Sequence, residues 1–237
     1  MLRDVRQLRA WPRDLSRWRS LPLLAALLTL LAVGPLLDEQ LAGFAVWQLL
    51  FTLTVLSAMA RLAVGPGPTL LAGLLAVPTM ASLWLRQFIP DVGLSAVGLG
   101  LLTLFLLATA AVVLVSVFRE ERVTLDTLSG AFCVYLLFGF ACGTLYGVMY
   151  LRSPGAFHLP AGWTPRHESG IAVDVPFNLL TYFSFMTLTT VGYGDVLPIA
   201  DASRAVAALE AVLGHFYLAI LVARLVGLHA ADTRGHQ

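Results

Sequence analysis

The stretch Thr190-Val191-Gly192-Tyr193-Gly194-Asp195 decides how this chain is read. Two glycines two residues apart let the backbone enter regions closed to other residues. Successive carbonyls can then turn toward one axis, which an ordinary strand cannot arrange. A row of such fixed dipoles can replace the water around a cation. Immediately upstream, Phe177–Thr189 reads as a short helix rich in aromatics, with Asp174 as N-cap and Pro176 in the first turn. At about 13 residues it is too short to cross a bilayer. It must therefore enter and turn back, which requires protein around it. Apolar segments precede and follow this unit.

Composition agrees with a membrane setting. Of the 237 residues, 58% are hydrophobic and 12% charged, and the mean hydropathy is +0.82. A soluble domain carries about 25% charged residues. The net charge of +1 gives no reason to expect a nucleic-acid partner. Every basic residue is Arg. Both cysteines, Cys133 and Cys142, fall in one apolar span on roughly opposite helix faces, which excludes a disulfide between them within that helix.

Six spans are legible: Leu21–Leu37, Leu41–Leu62, Thr69–Leu85, Val92–Phe118, Leu128–Leu151 and Asp201–Leu228. Their continuous apolar runs read as helices, not as the alternating strands of a barrel. Pro22, Pro35 and Pro78 imply tilt or kinking in the first and third. The fold class expected is therefore all-α integral membrane, with six transmembrane helices, a re-entrant pore helix and a tetrameric pore. Arg3, Arg6, Arg9, Arg13, Arg17 and Arg19 crowd the N-terminal arm. With that arm in the cytoplasm, Arg61, Arg119, Arg122, Arg224 and Arg234 fall on the same side, and Arg86, Arg152, Arg166 and Arg204 outside. Both termini are then cytoplasmic in a plasma (bacterial inner) membrane, and the Gly-rich stretch opens outward.

Five regions follow. Residues 1–20 form an Arg-rich amphipathic arm, with Leu8, Trp11, Leu15 and Trp18 at helical spacing. Its Arg face fits anionic headgroups, or serves simply as a positive-inside anchor. Asp4, Asp14 and the arm's length mark it as retained and not as a cleaved signal. Residues 21–118 form a four-helix membrane domain. Residues 119–127, including Arg119-Glu120-Glu121-Arg122 and Asp126, read as a linker helix. Residues 128–228 form the pore domain, and 229–237 a short cytoplasmic tail, too few residues for a regulatory module.

The segment Tyr182 to Asp195 resembles the pore helix and filter of tetrameric potassium channels, bacterial ones especially. The likeness covers outer helix, re-entrant pore and inner helix, about 100 residues from Leu128 to Leu228. It implies a potassium-selective homotetramer that conducts passively. Potassium ions would lie at Thr190, Val191, Gly192 and Tyr193, with Gly194 closing the conducting segment and the Thr190 hydroxyl completing the innermost ring. Val191 and Tyr193 would point away from the ions. Asp195 matches the acidic residue behind the filter's outer end, with Tyr182 or Thr187 as partner and Thr189 among the supporting residues. Some members carry a Glu facing that Asp; this chain has Met186. Gly214, 20 residues beyond Gly194, stands where the family often has a hinge glycine, or it serves close packing. No resident cofactor is implied.

Further candidates lie on the last span. Val222 and Val226 share a face below Gly214 and form either an apolar gate or plain packing, with Leu218 as a third candidate. Glu210 and His215 are ionisable at membrane depth. Glu210 is expected to hydrogen-bond behind the filter. His215 either lines a cavity or satisfies a buried partner. Ala205, Ala207, Ala208 and Ala211 permit close helix approach. His158, His167 and Glu168 sit in the loop expected outside, as solvated residues.

The fourth span carries no basic residue before Arg119, and its polar positions are Ser95, Thr103, Thr109 and Ser116. A voltage sensor needs a row of Arg or Lys there, so little intrinsic voltage sensing is expected. No nucleophile–base set, phosphate loop or metal cluster points to an enzyme. Two other readings compete: a subunit of a potassium uptake system, which one intact two-glycine filter disfavours, and a non-conducting modulatory subunit.

Overall fold

The computed structural model describes residues 20–36, 41–62, 66–85, 91–120, 123–160, 175 and 177–234. The N-terminal arm before Ser20, the Asp174–Pro176 cap, His167 with Glu168, and Glu121 with Arg122 lie outside the described residues.

Four helices come first: α1 (Leu21–Val33), α2 (Leu41–Leu62), α3 (Pro66–Leu85) and α4 (Val92–Arg119). The second half follows with α5 (Leu125–Arg152), a two-residue strand β1 (Phe157–His158), α6 (Phe177–Leu188), a second strand β2 (Leu197–Pro198) and α7 (Asp201–Arg234). Among the described residues, three helices are long and apolar enough to cross a membrane: α4, α5 and α7 as far as Leu228. α1 and α6 are shorter apolar helices, of 13 and 12 residues. α1 stops at Val33, where Gly34-Pro35-Leu36 tighten into a 3-10 turn, so the span expected to reach Leu37 is cut short by its proline. α7 instead runs past Leu228 to Arg234, so the first residues expected to form a tail continue the helix.

Packing places α4 between α3 and α5. The approach to α3 is close at Gly98, where a Cβ would come within 2.7 Å of the Ser82 hydroxyl. Toward α5, the buried Thr103 and Thr144 hydroxyls meet at 2.8 Å. α1 also lies against α5. The Ser20 amide donates to Asp126 Oδ1 at 2.7 Å, and the Cys133 thiol donates to the Ser20 carbonyl at 3.5 Å. Leu23, Leu27, Phe51, Leu102, Phe105, Leu106 and Leu137 form the centre of this core. The two cysteines are free and buried.

Two expectations are corrected. The connection from α4 to α5 is not a linker helix. Glu120 is already extended (φ −70°, ψ 130°), and Thr124 is extended too (φ −118°, ψ 166°). Thr124 caps α5 reciprocally with Thr127, and a residue serving as N-cap cannot itself be helical. Glu120, Val123 and Thr124 therefore lie outside both helices. Secondly, the second half is not purely helical: Phe157 pairs with Pro198 and His158 with Leu197, antiparallel.

Candidate functional site: the Gly-rich loop and its supports

α6 owes its position to the glycines of α5. Gly139, Gly143 and Gly147 recur every fourth residue and so line one face. A Cβ on Gly139 would meet the Phe185 ring at 2.7 Å, and one on Gly143 would meet the Thr181 Cα at 2.9 Å. The helix therefore lies directly on the α5 backbone. An aromatic cluster fixes its other side, with the Tyr146, Phe157 and Phe183 ring centroids 5.1–5.8 Å apart, edge to face.

The carboxyl end of α6 would normally leave its last four carbonyls without partners. Here each has one. Phe185 O accepts from the Thr189 amide at 3.0 Å and its hydroxyl at 2.6 Å. Met186 O accepts from the Val191 and Gly192 amides at 2.9 and 3.1 Å, and Thr187 O from the Thr190 amide at 3.0 Å. Leu188 O accepts from the Tyr135 phenol at 3.1 Å. The first amides of the loop are thus spent on the helix, and the loop rises from it in one fixed path.

Along that path Thr190, Gly192 and Gly194 have positive φ (60°, 53° and 78°), and Val191 and Tyr193 do not. Alternation of this kind turns successive peptide planes the same way. The glycines adopt it freely. Thr190 was not expected to, and a β-branched residue there carries on the order of 1–3 kcal/mol of strain. The Thr190 and Val191 amide bonds to α6 hold it in place. Among the described residues, the carbonyls of Thr190 to Tyr193 accept no hydrogen bond.

Beyond the loop, the Tyr182 phenol hydrogen-bonds the Asp195 carboxylate. Thr187, the other candidate partner, takes part through its backbone carbonyl. Val196 is buried, and β2 then returns to the end of α5: Ile199 N–H and the Ser203 hydroxyl both donate to Ala156 O, at 2.8 and 2.9 Å.

α7 closes the site from behind. Glu210 is 1% exposed. It meets the Tyr146 phenol and the Ser184 hydroxyl, each at 2.5 Å, and the Cys142 thiol. Gly214 is buried, and a Cβ there would meet Leu188 Cδ1 at 2.4 Å and the Leu188 carbonyl at 3.2 Å. Its present use is close packing against the end of α6; α7 runs unbroken through it. Lower down, the Tyr217 phenol donates to Ala131 O at 2.7 Å and its ring stacks on Tyr135. The Arg224 guanidinium donates to Glu120 O at 2.8 Å and lies over the Phe118 ring. His215, Leu218, Val222 and Val226 are exposed on this single chain. So are Val191 and Tyr193.

Sequence reasoning passed over the glycine face of α5, the aromatic cluster and the strand pair. The first was readable as small residues at every fourth position. The strand pair was not, because two-residue strands leave no periodicity. Among the described residues, no group of His, Cys, Asp and Glu is placed to hold a metal.

Residues 131–228 match a family model described as an ion channel. That stretch covers α5 from its second turn, α6 with the loop that follows it, and α7 to its apolar end. The second half of the chain therefore resembles an ion-channel domain. One relative is the voltage-gated potassium channel Kch of Escherichia coli (strain K12), 35% identical over 72 residues. The match covers 27% of this chain and 15% of that one. No solved structure matches the chain.

Proposed function

We propose that four copies of this chain form a potassium-selective channel through which K⁺ passes down its gradient. The observation that carries the reading is the loop 190–194, whose alternating backbone leaves four successive carbonyls without a hydrogen-bonded partner. Unpaired carbonyls inside a protein need a partner, and a dehydrated K⁺ on the pore axis supplies one. One chain contributes one wall of such a site, so a ring needs several. Burial supports the same assembly. Over its most apolar 18 residues, α5 is 72% buried and α7 only 17%. Tyr193 is 72% exposed beside the loop. Neighbouring copies would cover α7 and the loop's outer side chains, and lipid the rest.

In this reading Thr190, Val191, Gly192 and Tyr193 hold the ions, Asp195 and Tyr182 brace the outer end, and Gly214 is both a packing point and a hinge candidate. Leu218, Val222 and Val226 line the inner passage. The first four helices join the crossing helices to make six, with both termini cytoplasmic by the arginine bias. K⁺ is the cargo and no resident cofactor is required.

Purified protein in liposomes tests this. K⁺ flux should exceed Na⁺ flux by at least about a hundredfold, the ~3 kcal/mol that a carbonyl cage can impose on the wrong ion. Gly192→Ala, which forces a side chain onto φ +53°, should abolish the K⁺ flux. Equal passage of Na⁺, or an undiminished Gly192→Ala protein, would end the proposal. Silence from a well-formed tetramer would favour a modulatory subunit.

A further inference from the structure

Among the described residues Glu210 is the one acidic or basic side chain that is buried, and it lies at membrane depth. Its surroundings can be counted in hydrogens. Tyr146 and Ser184 each bring one hydroxyl hydrogen, and Cys142 one thiol hydrogen. Four contacts need filling. They are Tyr146 Oη to Glu210 Oε2, Ser184 Oγ to Glu210 Oε1, the Cys142 thiol to the carboxyl, and Ser184 Oγ to the Gly139 carbonyl at 2.7 Å. A carbonyl can only accept, so the last contact takes the Ser184 hydrogen. The Ser184–Glu210 contact then has none, unless Glu210 supplies it.

We infer that Glu210 is a neutral carboxylic acid and a positioning residue for the loop 190–194. Its Oε1–H donates to Ser184, which donates to Gly139 O, while the carboxyl accepts from Tyr146 and Cys142. All four contacts become hydrogen bonds. An ionised Glu210 would leave two oxygens facing each other without a hydrogen, and a buried charge with no buried cation among the described residues. The other titratable group facing it is Tyr135, also on α5.

The acid ties three elements at one point: α7 through itself, α6 through Ser184, and α5 through Tyr146, Cys142 and Gly139. One turn further along α7, Gly214 packs on Leu188, whose carbonyl ends α6. The clamp therefore sets where α6 ends, and so where the loop begins. Its consequence for ion flux rests on the conducting role proposed above; its protonation does not.

The test uses the full-length protein in liposomes. A wild-type minus Glu210→Gln infrared difference spectrum should contain the carbonyl band of a neutral carboxylic acid, shifted in D₂O. Gln offers a donating NH2 on one side and an accepting oxygen on the other, as a neutral acid offers its O–H and C=O. Glu210→Gln should therefore keep K⁺ flux and K⁺ over Na⁺ selectivity within about twofold of wild type. Glu210→Ala, which loses these hydrogen bonds, should lose tenfold or more of the flux. Absence of the band overturns the neutral acid. A Glu210→Gln protein as defective as Glu210→Ala overturns the positioning role. Should wild type pass no K⁺, the conduction reading falls by itself, and the band still decides the protonation. Should Glu210→Ala not fold, the band and the Glu210→Gln flux suffice.

Discussion

In the first four helices, hydroxyl groups turn back on their own helix. Thr29 donates to Ala25 O, Thr54 to Leu50 O, Thr79 to Leu75 O and Thr109 to Phe105 O. In the second half, Thr144 and Thr189 also turn back on their own helix, but four other hydroxyls reach across to another element. Tyr135 donates to Leu188 O, Tyr217 to Ala131 O, Ser184 contacts Gly139 O and Ser203 donates to Ala156 O. A back-bond satisfies a polar group in lipid but specifies nothing about its neighbours. A cross-bond fixes direction as well as distance. The front half is therefore held by apolar contact, which tolerates sliding. The second half is pinned, as the conducting role proposed for its loop would require. Among the described residues the front half has exceptions: Thr103 bonds both its own helix and Thr144 on α5, at the seam of the two halves, and the Thr52 hydroxyl donates to Met80 Sδ on α3 at 3.8 Å.

Glycines give the sharpest way to break this contrast. On α5, Gly143→Ala would push a methyl into the α6 backbone, 2.9 Å from Thr181 Cα, where no flexible side chain can yield. Overpacking of this kind costs about 1–3 kcal/mol. On α4, nothing lies within 4 Å of a Cβ at Gly100. Gly100→Ala should be neutral or stabilising by up to about 1 kcal/mol, since alanine restricts the unfolded helix. Thermal unfolding of the purified protein measures both, and K⁺ flux should fall only in Gly143→Ala. Equal effects would mean that the two halves are built alike.

A smaller difference is expected between two hydroxyl deletions. Tyr217→Phe removes a cross-bond to Ala131 O and should cost about 0.5–1.5 kcal/mol. Thr109→Val removes only a back-bond and should stay within about 0.5 kcal/mol of wild type. Unfolding midpoints of the two variants against wild type decide the order. A Thr109→Val protein less stable than Tyr217→Phe would reverse the assignment of rigid and adaptable halves.

What the sequence disclosed follows the same division. Helix bounds were readable where polar punctuation was strong: Leu41–Leu62 is observed as expected, and α4 begins at Val92 because Asp91 accepts the Leu94 amide. The helix–loop–helix order of the pore was readable because two glycines and a short aromatic helix cannot serve a plain span. Tertiary pairing was not readable. Ser184, Tyr146 and Cys142 meet at Glu210 from positions 26 to 68 residues away, and no local pattern announces such a meeting. The linker from Arg119 misled because its charges fit a solvated helix, while Thr124 had a stronger use as a cap. Positive φ at Thr190 was hidden for a related reason: local preference opposes it, and the hydrogen bonds to α6 override that preference.

The smallest effect expected is the response of the front half to a membrane potential. Moving one charge through the field is worth about 2.3 kcal/mol per 100 mV, and a working sensor carries three or four such charges per subunit. α4 offers none between Val92 and Phe118, and its buried hydroxyls at Thr103 and Thr109 face protein. Arg119 ends the helix. The bacterial relative bears "voltage-gated" in its name, yet this α4 has nothing on which the field can pull. Conductance in planar bilayers should change with voltage by less than the shift of one charge per subunit would give, and Arg119→Gln should leave the curve unmoved. A steep curve flattened by Arg119→Gln would assign sensing to the end of α4, and the front half would then be a working part of the gate, not its adaptable mount.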